Sequence, residues 1–209
     1  MVEVSAAVLD DAGARVDPCA AVAKRRPRDR IVATAREMFH AQGFRGVGVE
    51  AIAEAAGTNK MTLYRHFGSK DELIIECLRS VFAEGEALWQ AMEERHRGEP
   101  RAQLLAWVRE KADYVLNDCR GCTMANAAVE ITEPGHPARR YIEERKAAYR
   151  VRLTDLCAAA GASQAELLAD ALSLLLEGAR VARQSGGIAD PHAKFMRIAE
   201  AMIAAFTAR

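Results

Sequence analysis

Lys60, Met61, Thr62, Tyr64, Arg65 and His66 crowd one short stretch; wound into a helix with Leu63 and Phe67 facing inward, it projects Met61, Thr62, Arg65 and His66 outward, a set rich in hydrogen-bond donors. Such groups suit a polyanion. Phosphate oxygens accept hydrogen bonds from Thr, Tyr and Lys, while guanine N7 and O6 accept an Arg or Lys fork in the major groove. The residues just upstream fit the same chemistry. Ala53, Gly57 and Leu63 lie four and six residues apart, the spacing of a helix-turn-helix: a small residue where two helices cross, a glycine for the positive-φ turn, and an apolar plug behind the second helix. We assign Lys60, Met61 and Arg65 to base edges of double-stranded DNA and Thr62, Tyr64, His66 and Lys70 to its backbone. Thr58 and Asn59 belong to the same contact set, and Arg45 is a second clamp. Lys70 opens the next helix, where free N–H groups and the dipole already favour an anion.

The elements that must hold these side chains are all helical. "KRRPR" at 24–28 leads into Ile31, Ala35, Met38, Phe39 and Gln42, whose spacing by threes and fours marks a helix that Gly43 stops. Val49, Ile52, Ala53 and Ala56 make a short second helix, with Gly48 before it and Gly57 after it. The recognition segment follows, and "SKDE", with Ser69 three residues before Glu72, closes it and caps a long fourth helix. That helix carries an apolar stripe from Leu73 to Met92 and ends near Gly98 and Pro100. Further helical patterns cover about 101–118, 122–132, 138–160, 163–184 and 191–208, and no strand pattern competes. The predicted fold is all-α with about nine helices: a mobile tail over 1–23, a three-helix DNA-binding domain over 24–70, and a larger helical domain over 71–209.

Charge separates these regions. The formal charge of the 209 residues is zero, yet ten Lys or Arg against Asp29, Glu37, Glu50 and Glu54 leave residues 24–70 at +6. Phosphate neutralisation supplies most non-specific affinity for DNA, so this one segment is built for a polyanion. A general DNA-compacting protein would spread its positive charge widely. An enzyme would need a nucleophile with its base, paired carboxylates or a metal set, and none stands at a telling spacing. The first 23 residues are acidic with no signal-type apolar run, and nowhere do about 18 apolar residues succeed one another, which predicts a cytoplasmic protein without a membrane span. Five cysteines in no framework spacing fit a reducing compartment.

"GFRGVGVEAIAEAAGTNKMTLYRHFGSKDEL" (43–73) resembles the DNA-binding domain of the tetracycline-repressor (TetR) family of transcriptional regulators. Phe44, Ile52, Ala53, Gly57, Leu63, Tyr64, Phe67 and Lys70 fall on the family's motif positions. The chain departs from the pattern at Val47 and Gly48, where the family often carries Thr or Ser that cap the second helix and touch phosphate, and at Met61, where a small residue is common. The resemblance implies a ligand-responsive repressor that binds a palindromic operator as a homodimer and is released by a small molecule of unknown identity. It places a ligand pocket among the fourth to seventh helices, with Trp89, Trp107, Tyr114, Cys122, Asn126, Glu130 and Tyr149 as candidate lining residues. The two most apolar helices, "AELLADALSLLLEGARVARQ" and "KFMRIAEAMIAAFTA", are each too hydrophobic on one face to stay wet, and a pair from each chain would form a four-helix dimer interface.

"CRGC" supplies the alternative reading. Cys119 and Cys122 fall short of the four ligands of structural zinc, and His136 between two prolines is better suited to fixing a turn, so no metal and no cofactor are expected. As a thiol-based redox sensor the pair would need a lowered thiol pKa, which Arg120 or the helix start at Cys122 could provide.

Overall fold

The computed structural model describes residues 26–117 and 120–208; the expected tail, Lys24, Arg25 and Cys119 lie outside the described residues. Among the described residues the chain forms nine helices and no strand: α1 (Pro27–Gln42), α2 (Val49–Ala55), α3 (Lys60–Phe67), α4 (Lys70–Arg95), α5 (Pro100–Asn117), α6 (Thr123–Glu130), α7 (Pro137–Ala159), α8 (Ala165–Ser185) and α9 (Pro191–Thr207). The chain divides into two compact units, one ending at Cys77 and the other running from Leu78.

In the first unit, α1 starts on Pro27, whose fixed φ suits the first helical position and whose missing N–H would have no partner there. It buries Ile31, Val32, Ala35 and Phe39. Phe44, in the following loop, stacks on Phe39 with ring centroids 5.0 Å apart. α2 contributes Val49, Ile52 and Ala53 to the same core, and α3 contributes Leu63 and Phe67. The turn between α2 and α3 needs a glycine. Gly57 sits at φ +62°, and the chain reverses there through two hydrogen bonds, Gly57 N–H to Glu54 O at 3.0 Å and Thr58 N–H to Ala53 O at 2.9 Å. These satisfy carbonyls that the end of α2 would otherwise leave open. Ser69 then caps α4 through its Oγ, which accepts the Glu72 N–H at 3.1 Å. The opening turns of α4 return Leu73, Ile74 and Cys77 to the core of this unit. Burial pushes the Cys77 thiol up to about 12, and its Sγ–H donates to the Val32 carbonyl at 3.8 Å, so it is an inert core residue.

The second unit packs α5, α7, α8 and α9 on one another. Met92, Leu104, Trp107, Leu153, Leu168, Leu172 and Phe195 are among its buried side chains. Aromatic polar atoms are satisfied inside it: Trp107 Nε1–H donates to Tyr149 Oη at 2.6 Å, and Trp89 Nε1–H donates to Glu93 at 2.7 Å. The Trp89 and Tyr149 rings meet edge to face at 5.2 Å. His136 does fix a turn, because its Nδ1 accepts the Ala138 N–H at 3.1 Å and caps α7. None of the helices among the described residues is long and apolar enough to cross a membrane.

Candidate nucleic-acid interface

The outward face of α3 carries the expected set. Leu63 and Phe67 are 0% and 4% exposed, whereas Met61 is 80% exposed and Tyr64 36%. Asn59, Lys60, Arg65 and His66 are also exposed, with Thr58, Thr62 and Lys70 half-buried at the edges. Arg45 is exposed in the loop after α1. The structure therefore brings together on one unit every residue that the sequence pointed to for DNA.

Several of these side chains have partners that sequence spacing did not reveal. Asn59 is the N-cap of α3: its side-chain oxygen accepts the Thr62 N–H at 2.9 Å. That bond leaves the amide N–H groups of Asn59 to face outward and satisfies one open donor of the helix start. Lys60 Nζ donates to the carboxylate of Glu50, at the start of α2, and lies 5.9 Å from the Tyr64 ring centroid. The Lys60 hydrogen bond holds the Glu50 carboxyl below the usual carboxylate range, and the same contact raises the Lys60 ammonium. Lys70 Nζ sits 5.9 Å over the Phe39 ring.

Two further arginines brace the unit. Arg28 pairs with Glu76 at 3.0 Å and lies over the Phe67 ring at 5.3 Å. Arg30 reaches the Gly57 carbonyl at 3.5 Å and ties α1 to the turn. As expected from Gly48, α2 has no side-chain cap, and Val47 is buried at 2%.

In its fold and charge the first unit can lay one short, rigid, donor-bearing helix into a major groove. Comparison with known proteins identifies it. Residues 31–77 match the family profile described as "Bacterial regulatory proteins, tetR family". This segment belongs to the TetR family. The chain is 40% identical over 82 residues to the transcriptional regulator TcmR of Streptomyces glaucescens, covering 39% of this chain and 35% of TcmR. It is 33% identical over 115 residues to the transcriptional activator FasR of Mycolicibacterium smegmatis, covering 53% and 52%. The aligned regions thus span about a third and about half of these relatives. Over a longer stretch the chain is similar to the crystal structure of SCO4454, a TetR-family transcriptional regulator from Streptomyces coelicolor, with a TM-score of 0.80, 27% identity, and coverage of 87% of this chain and 96% of that one. All three relatives are transcriptional regulators.

The expected effector residues fall into three groups. Trp89 and Trp107 are buried core, 3% and 1% exposed, with Tyr149 packed against them. Tyr114 is 37% exposed. Cys122, Asn126 and Glu130 are half-buried, and Asn126 donates through Nδ2 to the Arg120 carbonyl at 2.7 Å. A hollow of about 450 Å³ lies elsewhere, lined by Gln90, Glu93, Glu94, Arg97, Gly98 and Gln103, and includes none of them. Among the described residues no three His, Cys, Asp or Glu side chains converge to hold a metal ion.

Proposed function

We propose that the chain is a cytoplasmic, dimeric repressor that occupies a palindromic operator through α3 and is released by a small-molecule effector held in the second unit. The observation that carries this reading is the capped recognition helix, with Met61, Tyr64, Arg65 and His66 exposed on a core of Leu63 and Phe67, inside the segment that matches the family profile. An effector need only bind one arrangement of the dimer more tightly than the other to lower operator affinity. The redox alternative gains nothing specific: Cys122 is half-buried and Cys119 lies outside the described residues.

The test is a contrast between two alanine variants on operator and scrambled duplexes, the operator being sought in the DNA flanking the chain's own gene. Arg65→Ala should lose about 1–3 kcal/mol of discrimination at one base pair. Lys70→Ala should weaken all duplexes alike and flatten the dependence of log K on log salt by about one unit. If Arg65→Ala weakened every sequence equally, Arg65 would be a backbone residue.

Glu50 makes a separate prediction. Its carboxylate neutralises Lys60 at the start of the recognition helix, so Glu50→Gln should free the ammonium for a phosphate or base. Binding to any duplex should tighten, and the salt dependence should steepen by about 0.9 for the one added contact. Fluorescence anisotropy across a salt series reads both; an unchanged slope would mean that Lys60 stays away from DNA.

A further inference from the structure

Lys111 and Arg180 are 69 residues apart in sequence, yet in the second unit the Arg180 charge acts on Lys111. Lys111 lies on α5, where Nζ sits 5.5 Å from the ring centroid of Tyr149 on α7. Arg180 lies on α8, where its guanidinium sits 5.1 Å over the ring of Tyr114 on α5. The Arg180 side chain is only 13% exposed. Both cations also feel the Cys122 sulfur at the start of α6. Four helices therefore converge on a pair of like charges flanked by two tyrosine faces.

Local carboxylates compensate this pair only in part. Glu177 reaches Arg180 at 3.3 Å, but it also reaches Lys146 at 3.1 Å and is shared between them. Glu110 is the other acidic group acting on Lys111. Among the described residues, three cations thus share these two carboxylates. The Nε of Arg180 is buried with no acceptor among the described residues, although a buried guanidinium N–H ordinarily has one. Burial and the Arg180 charge both press the Lys111 ammonium below its usual range. Arg180 is raised, its neighbours Cys122, Glu177 and Tyr114 outweighing its burial, so the strain falls on Lys111, and an anion beside it would relieve that strain.

We propose that this cluster binds the carboxylate of a small organic acid, with Lys111 and Arg180 as its ion partners and the faces of Tyr114 and Tyr149 against its apolar body. This deepens the ligand-responsive reading above and rests on it for the regulatory consequence. The two cations come from different helices, so an anion between them would also draw α5 and α8 together. A planar guanidinium with a free Nε–H can form a forked pair with a carboxylate, which a rounder or neutral group could not complete.

The test uses the full chain, titrated with benzoate, salicylate, 1-naphthoate and decanoate, and with benzamide, benzyl alcohol and benzyltrimethylammonium as counterparts. Tryptophan fluorescence reports binding, because Trp107 donates to the hydroxyl of Tyr149. At least one carboxylate should bind saturably and raise the melting temperature, with its neutral and cationic counterparts weaker by about tenfold or more. Lys111→Met and Arg180→Met should each weaken that carboxylate by a similar factor, and Lys111→Met should raise the melting temperature of the unliganded chain. The proposal is overturned if no carboxylate binds, if the amide or the ammonium binds as tightly, or if Lys111→Met lowers the unliganded melting temperature as a purely structural residue would. Saturable carboxylate binding that left operator affinity unchanged would support the site and remove the ligand-responsive reading instead.

Discussion

Replacing Leu174 and Val181 with glutamate should turn the proposed dimer into a folded monomer and lower operator affinity by about 10²–10⁴-fold, the gain that a second linked half-site contributes. The expectation starts from the surface of α8. Leu167, Leu174 and Val181 are 52%, 74% and 60% exposed, although the rest of the helix buries Leu168, Leu172 and Leu176 in its own unit. With Ala171 and Gly178 between them, the exposed residues follow one another at alternating intervals of four and three, the seam of a helix that pairs with another helix. Small side chains at two of these positions let a second helix approach closely; Gly178 has open space where a Cβ would stand. Ile198 on α9 adds a further exposed apolar side chain, 43% accessible.

A symmetric interface uses each substitution twice, so the double variant removes four apolar side chains, each worth about 1.5–3 kcal/mol of burial, and sets like charges against each other. Because these side chains are solvent-exposed within one chain, the helix content should survive. Light scattering on a sizing column and operator titration measure the two halves of the expectation. A variant that remains dimeric would put the interface elsewhere.

Legibility of the sequence divides along the same line as the range of the interactions. The helix-turn-helix could be read because its determinants are local: Gly57 must reverse the chain, Ser69 caps three residues ahead to Glu72, and Leu63 and Phe67 share one face by helical period. Even there, partners contributed by other helices escaped. Glu50 lies ten residues before Lys60 on a different helix, and Glu76 meets Arg28 from α4. Asn59 was legible as a polar residue beside the recognition helix, but its cap role shows only in the bond that its side-chain oxygen accepts from Thr62 N–H.

In the second unit, helix boundaries followed the periodicity, yet side-chain roles did not. Trp89 and Trp107 are apolar enough to line a pocket or fill a core, and it is Arg152, bridging Glu86 at 3.0 Å and Glu93 at 2.7 Å above the Trp89 ring, that fixes Trp89 inside. Lys111 and Arg180 gave no signal at all, because a lysine or arginine on a helix is ordinarily a solvated residue until packing buries it.

Leu63→Ala should unfold the first unit selectively. Leu63 is fully buried, and α3, which carries it, packs on both α1 and α2. Truncating such a leucine costs about 2–5 kcal/mol, depending on how far the surroundings collapse into the space. A unit of this size buries a smaller share of its surface than a larger domain, and small domains hold only a few kcal/mol in reserve, so the loss is comparable with its whole stability. The two tryptophans make the selectivity measurable. Both Trp89 and Trp107 lie beyond Leu78, so their fluorescence reports the second unit alone, while far-ultraviolet circular dichroism reports helices in both. In the variant, part of the helical signal should melt well below the tryptophan transition, and operator binding should vanish with that first step. A single transition shifted equally in both signals would mean instead that the two units unfold as one cooperative body, with the deficit at Leu63 spread across both.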